Sequence, residues 1–249
     1  MIKNHISAKN FYNKKFYVQQ SKNSKYSSLT ICEYLKKIIK PKSAIDIGCG
    51  DGIWIESIKE KFKVDGVGLE SDKICKILHN ENKFIKSYDF EKKISINEFF
   101  DLLVCIEVAS DLKKKRAESF IHDICKLSNV IIFSSGCPNQ SHKPHKNVQW
   151  PSYWIKIFNG LGFKEIDLFR PQIWNDKKMA PWFKQNLFLF VNQKKKGTLK
   201  KLNSFTFNRL PFDIVHPDLL PQSIKAKGLF EILKLIPNSI NNSLKFRLK

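Results

Sequence analysis

Arginine is scarce for so basic a chain. Its 44 basic side chains stand against 23 acidic ones, a formal net charge of +21 over 249 residues, yet only Arg116, Arg170, Arg209 and Arg247 are arginine. Phosphates and base edges are gripped best by the bidentate guanidinium, so a lysine surplus argues against nucleic acid as the main partner and reads as a solvated surface with an AT-rich coding bias. Long hydrophobic runs are missing too. No apolar stretch approaches the length of a membrane span, and "MIKNHISAKNFYNKKF" has no signal core, so a cytoplasmic, soluble protein is expected. Cysteines are present but unpaired in pattern. Cys32, Cys49, Cys75, Cys105, Cys125 and Cys137 form no C-x-x-C, which excludes the usual zinc spacing and a disulfide framework and leaves reduced, mostly buried thiols and no metal. There is no internal repeat. The length suffices for one domain with an appendage and a substantial core.

What is present is regular alternation. Residues 1–42 read as a polar leader and a helix, since "LTICEYLKKII" spaces apolar side chains helically before Pro41 ends the pattern. From Ser43, strand-like runs "SAIDI", "VDGVGL", "KFIKS", "FDLLVCI" and "NVIIFSS" are separated by helical patterns near 53–62, 73–79 and 113–127. "SYWIKIFNGLGF" then reads as a helix ended by glycines, with strands in "KEIDLF" and "QNLFLFV". Alternation of this kind predicts a three-layer α/β domain over 43–193. Past Gln193 the pattern collapses into "KKKGTLKK" and proline-punctuated segments, so 194–249 is set apart as a basic extension.

The first strand ends in "DIGCGDG", a glycine loop that leaves room and free backbone N–H groups for a ligand. A dinucleotide fingerprint requires a small residue where Ile53 stands, and no G-K-[ST] follows as a phosphate loop requires. The loop reads instead as D-x-G-x-G, with Asp46 ahead of Gly48, Cys49 and Gly50. An acid there repels a pyrophosphate and attracts a cationic amino group, which favours S-adenosylmethionine (SAM), a ligand with an ammonium and a sulfonium and no phosphate. Glu70, ending "GVGLE", can accept both ribose hydroxyls, although that spacing occurs in NAD sites as well. Asp89 after the third strand can accept from an adenine amino group or be a solvated loop acid. Glu107 ends the fourth strand and completes a row of acids along the crevice where open α/β sheets bind ligands. Asp46 also suits a helix-capping role.

On these residues the chain, from Ser43 to about Asn192, resembles the class I SAM-dependent methyltransferases: "DIGCGDG" is similar to their first motif, "GLE" to their ribose acid and "FDLLVCIEVASDL" to their fourth-strand motif. The resemblance implies a Rossmann-like, mostly parallel seven-stranded sheet with an antiparallel last strand, and SAM as cofactor with S-adenosylhomocysteine (SAH) as product. Within the class, "FSSGCPNQSHKPHKNVQWPSYWIKIF" and "RPQIWNDKKMAPWFKQNLFLFV" resemble a bacterial group associated with surface-polysaccharide modification. That group reads E-H-L where this chain has Ser110-Asp111-Leu112, and Glu where it has Val148. The resemblance implies O-methylation of a sugar, sugar nucleotide or other capsule or lipopolysaccharide precursor, with a capsule phosphoramidate as one candidate.

Methyl transfer to a hydroxyl is helped by a base within hydrogen-bond reach. His145, in the loop after the fifth strand, is the first candidate and Asp111 the second, while His142 is expected to be a solvent-exposed neighbour. Asn147, Gln149, Trp150 and Tyr153 are expected to line the acceptor side, since aromatic planes and amides suit sugar faces and hydroxyls. Trp154 and Phe158, four apart on a helix, are expected in the core, and Trp182 and Asn186 near the pocket from the last hairpin. Two other functions compete: RNA methylation, and a non-catalytic SAM-fold module in a glycan-assembly complex. The far end of the chain carries Leu229, Ile232, Leu233 and Ile236 on one helical face before Pro237, with basic residues outnumbering the single acid Glu231. This is an amphipathic helix for peripheral contact with an anionic membrane, or one that packs on the domain.

Overall fold

The computed structural model describes residues 14–78, 83–138, 140, 145–203 and 210–219, the first ten of these as backbone only. The predicted amphipathic helix beyond Gln222 and His142 lie outside the described residues. Seven strands form one sheet: β1 (Ala44–Ile47), β2 (Gly66–Glu70), β3 (Ile85–Ser87), β4 (Leu102–Ile106), β5 (Val130–Ser134), β6 (Phe163–Ile166) and β7 (Phe188–Asn192), in spatial order β3-β2-β1-β4-β5-β7-β6. β1 to β5 pair in parallel, and β7 runs antiparallel to both β5 and β6. This is the mostly parallel, Rossmann-like sheet expected, with the last strand reversed.

Strands buried on both faces read as continuous apolar runs, and their alternate residues separate into two cores. Ile45, Ile47, Leu103, Cys105, Ile131, Phe133, Phe188 and Phe190 face one side, under α4 (Ala117–Leu127) and α5 (Pro151–Gly160). Ala44, Leu102, Val104, Val130, Ile132, Leu189 and Val191 face the other, under α1 (Lys14–Lys36) and α2 (Ile53–Phe62). A short helix α3 (Asp72–Leu78) links β2 to β3. The order reverses between β1 and β4, where successive loops leave on opposite faces and open a crevice at the strands' carboxyl ends.

The ends of the chain differ from the sequence pattern. α1 begins at Lys14 rather than near Leu29. Its first half is polar, so no apolar period announces it, but Ile31, Cys32 and Leu35 are fully buried and Ser28 Oγ meets Ser57 Oγ of α2 at 2.6 Å. The lysine-rich stretch read as patternless contains α8 (Lys196–Asn203), whose Leu202 is buried. Two short helices, α6 (Arg170–Ile173) and α7 (Pro181–Asn186), stand between β6 and β7. No described helix is long and apolar enough to cross a membrane.

Residues 210–219 form a strap against α5, α6 and α7. Arg170, fully buried, holds Asp167 through two bonds of 2.9 and 2.7 Å and donates to the carbonyls of Gln185, Leu210, Pro211 and Phe212. Its guanidinium also lies 4.2 Å from the Phe188 ring centroid. Asp213 then accepts Ser152 N–H at 2.9 Å in the first turn of α5, and Lys184 reaches Asp218 at 3.0 Å. Removing one partner of a buried ion pair strands the other, so Arg170→Met should cost about 3–5 kcal/mol. Urea unfolding should show a lower midpoint with a similar slope, whereas a loss below about 1 kcal/mol would mean that the strap is held by other contacts.

Candidate functional site

The glycine loop follows β1 at the crevice. Gly48, Gly50 and Gly52 all have positive φ, at 76°, 57° and 89°. Gly48 answers a packing constraint of its own, because a Cβ there would overlap Val108 Cγ2 on the loop after β4. Its N–H groups are not free either. Gly48 and Cys49 donate to Leu69 O at 2.8 and 3.0 Å, Gly52 donates to Cys49 O, and Gly50 donates to Glu70 Oε2 at 2.8 Å. With those four donors consumed the loop is a poor phosphate cradle. Cys49, read from sequence as a cofactor residue, is 5 % exposed and its thiol fills the space beside Gly68, where a Cβ would sit 2.6 Å from Sγ.

The acids remain. Asp46 is 1 % exposed, and its Oδ2 has no hydrogen-bond partner. Burial pushes its carboxyl well above the ordinary range, and the charges of Glu70 and Asp51 push it further. Glu70 is also buried, accepting Ser71 N–H at 2.6 Å besides Gly50 N–H. Burial raises its carboxyl despite those bonds. Two raised, neighbouring carboxyls favour a proton or a cation between them. Asp89 lies exposed in the turn after β3, accepting Glu91 N–H at 3.1 Å. Glu107, grouped with these acids from sequence, is instead engaged with the β5 loop: Oε1 accepts Ser134 Oγ–H and Oε2 accepts a Gln140 Nε2–H, each at 2.9 Å. Its backbone is left-handed, φ 59°, a conformation rare for a residue with a side chain.

On the other side of the crevice His145 and Asp111 are joined, Nδ1 to Oδ1 at 2.7 Å. The His145 side chain is 1 % exposed and its Nε2 has no partner. The ring occupies the space beside Gly136, where a Cβ would be 2.9 Å from Nε2. Two backbone bonds fix the loop, since Lys146 and Asn147 N–H both donate to Ser110 O at 2.9 Å, one residue before Asp111. With Asp111 accepting from Nδ1–H, the free ring position is a lone pair, the arrangement of an oriented base.

Asn147 is 2 % exposed, its Oδ1 accepting from Gln149 Nε2 at 3.0 Å while Nδ2 has no partner. Trp150, half-buried, precedes α5. Tyr153 is in the first turn of α5, packed against the apolar core with its ring 5.0 Å from that of Trp154, and its hydroxyl is raised by burial and then by Glu118. Trp154 and Phe158 are both buried against Phe133. Trp182 and Asn186 stand on α7, not on a hairpin; Asn186 Nδ2 donates to Gln140 Oε1 at 2.6 Å, extending the Glu107 network to Gln185 and Cys137.

Ser110 and Ser135 were not singled out by sequence. Their hydroxyls are buried without partners, as are Asp46 Oδ2, His145 Nε2 and Asn147 Nδ2, and all five belong to β1 or to the loops after β4 and β5. Unpaired buried polar atoms are uncommon, and a group of them at one end of a sheet marks where a polar ligand completes the set. The hint available beforehand was the hydroxyl-rich "SSG" at the end of β5. Among the described residues no three His, Cys, Asp or Glu side chains could hold a metal ion.

The family model described as a methyltransferase domain matches residues 21–176. No curated protein matches the chain in sequence. Among solved structures, the chain is similar to DesVI of Streptomyces venezuelae, with 12% identity, TM-score 0.55, and coverage of 72% of this chain and 95% of that one. It is also similar to the sugar N-methyltransferase KedS8 of Streptoalloteichus, at 10% identity and TM-score 0.50 over 70% and 87% of the two chains. A third is the magnesium protoporphyrin IX methyltransferase of Synechocystis with bound SAM, at 12% and 0.50 over 77% and 100%. At such identities the likeness is one of fold.

A raised carboxyl favours its protonated form in the fold. The stability this confers on Asp46 is complete below its ordinary value of 3.8 and is lost as pH rises through the raised one. Asp46→Asn cannot ionise and should escape that loss. In the absence of ligand the gap between the variant and the wild-type chain should widen in the variant's favour as pH rises, by about 2–4 °C for each kcal/mol recovered. A gap that is indifferent to pH, or that shrinks as pH rises, would contradict the buried carboxyl.

Proposed function

Because the chain belongs to the methyltransferase domain family and is a SAM-dependent methyltransferase, we propose that it O-methylates a hydroxyl of a sugar, sugar nucleotide or related surface-glycan precursor. The observation that carries the hydroxyl is the buried, unpartnered Nε2 of His145, with its other nitrogen tied to Asp111.

The residues at the strand ends fit the cofactor. Asp46 Oδ2, buried and unpaired, suits an ammonium, and the remaining lone pairs of Glu70 suit ribose hydroxyls. On this reading the exposed carboxylate of Asp89 accepts from the adenine amino group. When bound, SAM supplies a methyl group on a positively charged sulfur. The chain's own work is alignment and proton removal. Nε2 of His145 accepts the acceptor's hydroxyl proton, and the Asp111 carboxylate keeps the ring oriented and stabilises the imidazolium that forms. The buried His145 side chain and the half-buried Asp111, on loops fixed to each other through Ser110 O, preorganise that transfer.

A sugar acceptor is supported by the polar groups on the same loops as the base: the paired amides of Asn147 and Gln149 and the buried, unpartnered hydroxyls of Ser110 and Ser135, with Trp150 next in the chain. The bacterial-group motifs in "FSSGCPNQSHKPHKNVQWPSYW" support the surface-glycan setting. On this reading the reaction is cytoplasmic, with the basic chain end, outside the described residues, as the part suited to an anionic membrane surface.

With surface-glycan extract from cells lacking the gene as acceptor, His145→Ala should lower methyl transfer by about 10²–10⁴-fold while leaving SAH affinity within about twofold. Asp111→Asn should fall comparably, because an amide can donate to Nδ1 and leave Nε2 protonated. Transfer within about threefold of wild type in both variants would remove the base from the mechanism. Glycan mass spectra from cells with and without the gene should differ by one methyl.

A further inference from the structure

We propose that Asn147, oriented by Gln149, makes the acceptor site selective for oxygen over nitrogen. This rests on the methyl-transfer reading above and deepens it. Exposure alternates along the loop after β5: the His145 side chain is 1 % exposed, Lys146 is exposed, Asn147 is 2 % exposed and Val148 is 39 % exposed. The chain bends at Lys146, where two successive N–H groups meet Ser110 O, and both ends of the bend return to Gly136: the His145 ring packs on it and Gln149 N–H donates to its carbonyl at 3.4 Å. Two buried, unpaired atoms of opposite character therefore belong to this one short loop.

One is His145 Nε2, which presents a lone pair when Nδ1–H donates to the Asp111 carboxylate. The other is a donor. Gln149 Nε2 donates to Asn147 Oδ1 at 3.0 Å, which fixes the amide with its oxygen occupied and its Nδ2 hydrogens turned away from Gln149. Nδ2 is buried without a partner.

The valence of the acceptor atom decides what fits. A hydroxyl has one proton and two lone pairs. Its proton goes to Nε2, one lone pair forms the new O–C bond as the C–S bond breaks with its electron pair leaving on sulfur, and the second lone pair accepts from Asn147 Nδ2. Every group is then satisfied, and the imidazolium carries the proton beside the Asp111 carboxylate. A neutral amine has two protons and a single lone pair. That lone pair must attack carbon, so Nδ2–H faces an N–H or nothing, and a buried donor left unpaired discriminates by roughly tenfold or more. The hydroxyls of Ser110 and Ser135 can serve either acceptor, whereas the Asn147 donor cannot.

The test uses surface-glycan extract from cells lacking the gene, N-deacetylated so that hydroxyls and free amines compete, with SAM whose methyl is trideuterated. Acid hydrolysis and mass spectrometry then separate O-methyl from N-methyl sugars. Wild-type protein should give O-methyl product in at least about tenfold excess. Gln149→Glu accepts from Asn147 Nδ2 and turns Oδ1 into the site, so it should lower the O-to-N product ratio at least about tenfold with SAH affinity and melting temperature unchanged. If that variant does not fold, the wild-type ratio still decides the acceptor atom. Mainly N-methyl product from wild type would overturn the selectivity while leaving glycan methylation standing. An unchanged ratio in folded Gln149→Glu would overturn the role of the amide pair. No label in any sample would overturn the glycan reading and this inference with it.

Discussion

Two carboxylates buried at adjacent strand ends are the constraint on which the rest of the structure depends. Asp46 and Glu70 are each raised first by burial, and Asp46 also by the charge of Glu70. A fold does not keep an unpaired buried carboxylate for its own stability, because desolvation costs more than a solvated acid gains. The arrangement is coherent once a cation is brought to it. The sheet supplies the position: β1 and β2 are neighbours in parallel register, with Asp46 opposite Gly68 and Ile47 opposite Leu69. The glycine loop spends its N–H groups on Leu69 and Glu70 and so offers nothing comparable to a phosphate.

The second half of the site depends on the first through the crevice between β1 and β4. Gly48 and Val108 touch across it, so the glycine loop after β1 and the loop leading to Asp111 are packed as one surface. From there Ser110 O holds the His145 loop, and Glu107, left-handed, holds Ser134 and Gln140. The network runs on through Asn186 and Gln185 to His216 of the strap, whose N–H donates to Gln185 Oε1 at 2.7 Å. Arg170 closes it from behind. This side of the crevice is thus a set of loops from β4, β5 and the far end of the described chain, tied by polar contacts rather than by the apolar core.

That division explains what could be read in advance. β1, β4, β5 and β7 were legible because strands buried on two faces are continuous apolar runs, and the acids at their ends were legible because D-x-G-x-G and "GLE" are local patterns. His145 and Asp111 were each legible as types of residue, but nothing in sequence joins positions 34 apart into one hydrogen-bonded pair. The turn of Glu107 toward β5 was hidden for the same reason. Its partners Ser134 and Gln140 are set by the β4–β5 register and a loop. The polar start of α1 carries no apolar period. The strap, punctuated by Pro211 and Pro217, depends on one arginine some forty residues earlier, a contact with no local signature.

Calorimetric titration of SAH into the wild-type chain and into Asp46→Asn tests the central claim most directly. The account predicts one-to-one, micromolar binding to wild type and an affinity at least about tenfold weaker in the variant, in keeping with a charged hydrogen bond worth about 1.5–3 kcal/mol. Equal affinity in the two proteins, or no binding to wild type, would contradict it.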